Sequence, residues 1–303
     1  MKISIIGSGV FAKAIAALIT SNGHNVIMWT EEENPRKIVV PRKVKVTNDI
    51  KTATEDMDII FMLIGSKYMK STLSSMKPFY NKSLIVIGSK GLLDTGKTLY
   101  ALTKETLNTS NIGVISGPTF AIDVKNLEPV GFTYADKNKN NYKLLRELFQ
   151  TSIKEYTINT EEIEICGAIK NVYAIGSGII YGLNYGMSTR TLYLMKAIEE
   201  IKLILKSLDL TSKEVYSYAG IGDLFLTSSS PNSRNFTLGT VLAMGRKKEV
   251  NEFLYKNTVE GYENLLSFYK YLKEKSIDAP ILTKIYQILI EDAKQKSLIE
   301  ILH

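Results

Sequence analysis

The chain has 303 residues and a net charge of +7, and at 45% hydrophobic and 23% charged it reads as a globular protein with core enough for two domains. A single cysteine, Cys166, and two histidines, His24 and His303, exclude an intrachain disulfide framework and argue against a metal site. No apolar run approaches the roughly 20 residues that span a bilayer. The positive charge permits an anionic ligand or nucleic acid without choosing between them, and nucleic acid is the weakest reading, because no dense basic stripe interleaved with aromatics appears.

Lys2 to Ile6 is predicted as a strand that runs straight into a glycine turn, which is not the pattern of a signal peptide, and a cytoplasmic setting is expected. The turn is Gly7-Ser8-Gly9-Val10-Phe11-Ala12, followed by an apolar helix over Ala14–Ile19 and a second strand over Asn25–Thr30. Strand, G-x-G-x-x-A turn and helix together form the dinucleotide-binding pattern. Gly7 permits the tight turn, Gly9 lets backbone approach a pyrophosphate, and the helix N-terminus faces the phosphates. A strand–helix turn without a ligand would show the same residues. Glu31 closes the second strand, where an acid commonly binds the ribose hydroxyls. As part of Glu31-Glu32-Glu33 it also fits a solvated charge run.

Residues 34–45 are expected to form a loop with Pro35 and Pro41, and further strands fall at Val44–Thr47, Asp58–Ile64, Leu84–Gly88, Ile112–Ile115, Val130–Tyr134 and Lys154–Thr157. Helical stretches alternate with them, which predicts a parallel, doubly wound sheet. Lys90, in Ser89-Lys90-Gly91, and Gly117 and Thr119, in Gly117-Pro118-Thr119-Phe120-Ala121, sit just past strand carboxyl ends, where such sheets bind ligands. Ordinary turn chemistry accounts for the same residues.

After Asn159 helical periods dominate, which gives a dinucleotide-binding domain over 1–158 and an all-α domain over 159–303. Cys166–Gly178 reads as a buried helix with one polar pair, Lys170-Asn171. A lysine there must be paired, used as an acid or base, or snorkel from a helix end. Helices are expected over Thr191–Leu208, Ser212–Tyr218 and Val259–Lys275, with a break at Ala219–Leu224. Hydroxyls, amides and Arg234 then cluster in Thr227–Asn235, a natural oxyanion site or simply a polar interhelix loop.

These motifs in this order resemble the bacterial-type NAD(P)-dependent glycerol-3-phosphate dehydrogenases. The resemblance rests on Gly7-Ser8-Gly9, Ser89-Lys90-Gly91, Gly117 to Ala121, Lys170-Asn171, Gly222-Asp223 with Ser233-Arg234-Asn235, and Val259-Glu260-Gly261, and it covers nearly the whole chain. It implies a Rossmann-type sheet domain plus a helical substrate domain, and interconversion of dihydroxyacetone phosphate and sn-glycerol 3-phosphate for phospholipid synthesis. By the same resemblance Lys170 is the acid/base. Lys90, Gly117, Thr119, Lys170, Asn171, Asp223, Ser233, Arg234 and Asn235 bind substrate, while Val10, Phe11, Lys90, Ala121, Arg234 and Glu260 bind cofactor, beside Gly7, Gly9 and Glu31 as read from the turn and the second strand. Lys90 and Arg234 are expected to act on Lys170 by like-charge repulsion. A homodimer is a family-level expectation.

The chain departs from the family pattern in four places. Val10-Phe11-Ala12 replaces Ser-Trp-Gly, Glu31 stands where Arg or His is common, Thr119 replaces Ser, and the segment after Glu33 is short. The acidic residue favours NADH over NADPH, with NADP the alternative cofactor. Competing readings are a ketopantoate reductase or 6-phosphogluconate dehydrogenase relative, and a non-catalytic dinucleotide sensor.

Overall fold

Short apolar runs make five strands that are buried along their whole length, Ile3–Ile6, Ile59–Met62, Leu84–Ile87, Ile112–Ser116 and Phe132–Ala135, and with Val26–Trp29 and two more polar edge strands, Val44–Thr47 and Ile153–Thr157, they form one eight-stranded sheet. The structure is a computed structural model and describes residues 1–93 and 95–302, so His303 lies outside the described residues. The strands are β1 (Ile3–Ile6), β2 (Val26–Trp29), β3 (Val44–Thr47), β4 (Ile59–Met62), β5 (Leu84–Ile87), β6 (Ile112–Ser116), β7 (Phe132–Ala135) and β8 (Ile153–Thr157), in the order β3-β2-β1-β4-β5-β6-β7-β8. β1 pairs in parallel with both β2 and β4, so the strand order reverses there, the place where open α/β sheets bind ligands.

The chain divides into two compact units, residues 1–90 with 98–164, and residues 91–97 with those from Ile165 on. The first unit holds the sheet and six helices: α1 (Val10–Ser21), α2 (Ile50–Thr54), α3 (Met69–Met76), α4 (Leu99–Leu107), α5 (Ala121–Lys125) and α6 (Lys139–Phe149). The expected parallel sheet needs one correction, because β7 runs antiparallel to β6. Residues 117–131 leave β6 at its carboxyl end, form only the five-residue α5, and re-enter beside Ser116, which pairs with Thr133. A parallel return would need a full crossover.

The second unit is helical: α7 (Thr160–Gly182, which begins in the first unit), α8 (Met187–Ser207), α9 (Asp223–Ser229), α10 (Arg234–Ala243), α11 (Lys247–Lys256), α12 (Glu260–Glu274), α13 (Pro280–Ile290) and α14 (Ser297–Glu300). Three expectations change here. Ser212–Tyr218 is not a full helix but a single tight turn over Lys213–Tyr216. Residues 219–224 do not break the chain path: a wide π-helical turn, Tyr218–Gly222, runs directly into α9, and the true interruption is Ser230–Ser233. Finally, α7 is 23 residues long and holds an 18-residue stretch with a mean hydropathy of 1.3, long and apolar enough to cross a membrane by those measures. Its apolar stretch is wholly buried within the protein, which is the behaviour of a core helix.

Helices α7 and α10 cross at backbone contact. A Cβ on Gly178 would lie 2.0 Å from the Phe236 carbonyl oxygen, and one on Gly239 would lie 1.9 Å from that of Ile175. Only glycine fits at these two positions, and the crossing brings the start of α10 to the Lys170-Asn171 stretch.

Candidate active site and cofactor cleft

In the sheet unit, Gly7 ends β1 with φ of +122°, and a Cβ there would stand 2.4 Å from the Leu63 carbonyl oxygen. Both facts require glycine. Gly9 caps α1 with no side chain satisfying the helix's first N–H groups, and a Cβ built on it would meet open space. These groups open onto a cleft of about 500 Å³, lined by Gly7, Ser8, Gly9 and Thr30 and walled by Glu31, Glu32 and Glu33. An uncapped helix N-terminus on a glycine turn beside the β1/β4 switch point fits a pyrophosphate, so the residues present suit a dinucleotide. The cleft wall carries three glutamates and, among the described residues, no lysine or arginine. Ser8 and Thr30 share a hydroxyl hydrogen bond of 2.8 Å that ties the turn to the end of β2, and the Glu32 N–H donates to Thr30 Oγ1 at 3.3 Å.

The other expected cofactor residues of this unit differ in exposure. Val10 is exposed, Phe11 is half-buried near Gly88, and Ala121 begins α5. Lys90 is half-buried after β5, next to Ser89, whose hydroxyl donates to Met62 O and accepts from Ile64 N. Gly117 is buried, with the Gly131 carbonyl oxygen 2.3 Å from where its Cβ would be, and Thr119 N–H donates back to Gly117 O at 2.9 Å.

In the helical unit, α7 carries Lys170 and Asn171 one residue apart, and each is the centre of its own group. Lys170 is only 6% exposed. Its Nζ donates to Asp223 Oδ1 and to Thr227 Oγ1, each at 2.6 Å. Asp223 and Thr227 lie one turn apart on α9, so one helix face presents both acceptors. The carboxylate offsets the cost of burying the ammonium. Within this unit the charge paired with Lys170 is therefore an acid, not a cation.

Asn171 ties three helices together. Its Nδ2 donates to Glu260 Oε2 at 3.2 Å, its Oδ1 accepts from Asn235 Nδ2 at 2.9 Å, and Asn235 Oδ1 accepts from Gly261 N–H at 2.9 Å. Gly261 must be glycine because a Cβ would lie 2.5 Å from Asn171 O. Ser233 caps α10 by accepting from Phe236 N–H at 3.3 Å, and Arg234, the first residue of that helix, is exposed.

Thus Lys170, Asn171, Asp223, Ser233, Arg234, Asn235 and Glu260 share the helical unit, while Gly7, Gly9 and Glu31 share the cleft of the sheet unit. Thr227 was missed as a lysine partner. Its only signal is the i, i+4 spacing from Asp223. Two buried acids also escaped attention. Glu200 on α8 accepts from Ile281 N–H at 2.7 Å, Leu282 N–H at 2.9 Å and Tyr173 Oη–H at 2.8 Å, and burial raises its pKa. Glu164 accepts from Tyr100 N–H at 2.9 Å at the start of α4. Burial pushes its pKa up to about 8, partly offset by hydrogen bonds from Tyr100 N–H, the Thr98 hydroxyl and Leu99 N–H.

A dinucleotide-type sheet unit joined to a helical unit with a buried lysine defines a nicotinamide-dependent dehydrogenase architecture. Residues 2–142 match the N-terminal model, and residues 160–300 the C-terminal model, of the NAD-dependent glycerol-3-phosphate dehydrogenases. The chain belongs to that family. It is 30% identical over 322 residues to a glycerol-3-phosphate dehydrogenase [NAD(P)+] of Staphylococcus haemolyticus, covering 99% of this chain and 96% of that one. It is 32% identical over 317 residues to the enzyme of the same name from Fusobacterium nucleatum, covering 96% and 93%. Among solved structures it is similar to glycerol-3-phosphate dehydrogenase from Coxiella burnetii, with a TM-score of 0.91 and 25% identity over 99% of this chain and 98% of that one. A ketopantoate reductase from Ralstonia eutropha shares the fold alone, with a TM-score of 0.61 and 13% identity.

Proposed function

We propose that this protein interconverts dihydroxyacetone phosphate and sn-glycerol 3-phosphate, with Lys170 as the acid/base, and that the product feeds glycerophospholipid synthesis. The observation that carries this reading is the buried Lys170–Asp223–Thr227 group standing beside the Asn171–Asn235–Gly261 ties, on the residues that match the family's motifs.

The nicotinamide cofactor, when bound, supplies or accepts the hydride at the carbinol carbon. In reduction the ketone oxygen gains negative charge, and protonated Lys170 neutralises it and gives it a proton. In oxidation neutral Lys170 takes the hydroxyl proton. Asp223 and Thr227 hold Nζ in one place, and burial keeps bulk water from competing for that proton. Arg234 and the α10 N-terminus capped by Ser233 suit a phosphate dianion, through a bidentate fork and aligned N–H groups. Lys90, Gly117 and Thr119 are proposed to bind substrate on the strength of their motifs. Asn171 fixes Glu260 and Asn235 rather than taking part in proton transfer.

In the sheet unit, the turn of Gly7 and Gly9 is proposed to hold the pyrophosphate and Glu31 the adenosine ribose, with Val10, Phe11, Lys90 and Ala121, and Arg234 and Glu260 of the helical unit, also contributing to cofactor binding. The test is Lys170→Ala. It should keep NADH binding and lose a hundredfold or more in turnover, the usual scale for a positioned acid/base. Unchanged turnover refutes the role.

A further inference from the structure

The first turn of α8 buries an arginine that none of the roles above uses. Arg190 is 8% exposed, and among the described residues no carboxylate pairs with it. Its guanidinium lies 5.4 Å from the Tyr181 ring centre and 5.2 Å from that of Phe236, and the two rings are themselves 5.3 Å apart. One Nη–H donates to the Ser228 carbonyl at 3.2 Å, a carbonyl that also accepts from the Ser177 hydroxyl at 2.8 Å. Nε has no hydrogen-bond partner among the described residues. A buried cation without a counter-ion is costly unless its position does something.

Its position is informative. Ser228 lies near the end of α9, one residue after Thr227, which holds Lys170. Phe236 lies in the first turn of α10, one residue after Asn235. Between them runs the Ser230–Ser233 connection that sets Ser233 and Arg234. Arg190 therefore grips both ends of that loop from a third helix, by a carbonyl bond at one end and a ring contact at the other. The carbonyls at the end of α9 also carry the negative end of its dipole, which suits a cation.

We propose that Arg190 is a positioning residue that fixes the Ser230–Asn235 loop for the substrate's phosphate. This rests on the proposed function. A planar guanidinium can lie against two rings while it donates in its own plane, and an ammonium cannot do both. Loss of the grip lets the loop shift, and misplacement by about 1 Å can cost a hundredfold. The effect falls mainly on substrates that carry the phosphate, since Ser233 and the start of α10 serve that group, while the Arg234 contribution to cofactor binding is common to both substrates.

The experiment measures kcat/KM with dihydroxyacetone phosphate and with unphosphorylated dihydroxyacetone, for wild type, Arg190→Met and Arg190→Lys. The expected result is a loss of about 30-fold or more with the phosphorylated substrate in both variants. With dihydroxyacetone the change stays within about threefold, because remote binding energy is absent there already. Equal losses with both substrates, restoration by lysine, or failure of both variants to fold makes Arg190 a structural residue only and overturns the inference. A folded wild type that is inert with dihydroxyacetone phosphate instead overturns the proposed function, and the inference with it.

Discussion

Replacing Asp223 by asparagine keeps the shape of α9 but removes the carboxylate 2.6 Å from Lys170 Nζ. Both side chains are nearly sealed from solvent, at 7% and 1% exposed, so water cannot take over the missing charge. Breaking such a buried pair typically costs about 3–5 kcal/mol. There is a ceiling, because the lysine can shed its proton instead. From an ordinary lysine pKa of about 10.4, neutralisation at pH 7 costs about 4.6 kcal/mol, and at pH 9 only about 1.9 kcal/mol. In the variant the unfolded chain then binds more protons than the folded one, so its stability rises with pH towards the ordinary lysine value. The wild type, with the pair intact, has no such gain. Urea unfolding at pH 7 and pH 9 should therefore show a destabilisation of about 3–5 kcal/mol that falls to about 2 kcal/mol. Turnover in the direction of ketone reduction should drop by about a hundredfold at pH 7, since a neutral lysine has no proton to donate. A destabilisation below about 1 kcal/mol, or one that does not change with pH, would refute the reasoning, because it is what a solvated surface pair gives.

Two further predictions follow from other acids. NADH is expected to be preferred over NADPH by about fivefold or more, since the cleft wall of Glu31, Glu32 and Glu33 opposes a 2′-phosphate. Comparing kcat/KM for the two cofactors checks this, and Glu31→Arg should erode the preference. Glu164 titrates at about 8 in the folded protein against an ordinary value of 4.5, so the folded state holds the extra proton between those values and stability falls as pH rises through that range. Glu164→Gln should flatten the decline of melting temperature between pH 5 and pH 8, which is worth roughly 4 kcal/mol at most, and a decline of equal slope in both proteins would exclude Glu164 as its source.

The sheet unit was legible because its signals are local. Gly7 and Gly9 sit between an apolar strand and an apolar helix, and the turn they make needs no distant partner. Lys170 stood out for the same reason, as a charge on a greasy helix. What it pairs with was not legible: Asp223 and Thr227 lie more than 50 residues away, one turn apart on α9, and only the packing of α9 against α7 brings that face to Lys170. The direction of β7 was hidden too, since an apolar strand reads alike in either direction and nothing local shows that the connection over 117–131 holds only the short α5 and makes no crossover. Four glycines in α7 argue against one long helix by propensity, but Gly178 and Gly182 meet α10 at backbone distance, and that packing overrides propensity. Arg190 gave no signal, because its meaning lies in two ends of a loop that sequence does not show to be held together.

The most direct measurement is NADH oxidation by the purified wild-type protein, with dihydroxyacetone phosphate or ketopantoate as the only acceptor. The proposed function predicts oxidation with dihydroxyacetone phosphate, matched mole for mole by sn-glycerol 3-phosphate, and no oxidation above background with ketopantoate. Oxidation with ketopantoate alone, or with neither acceptor, would contradict it.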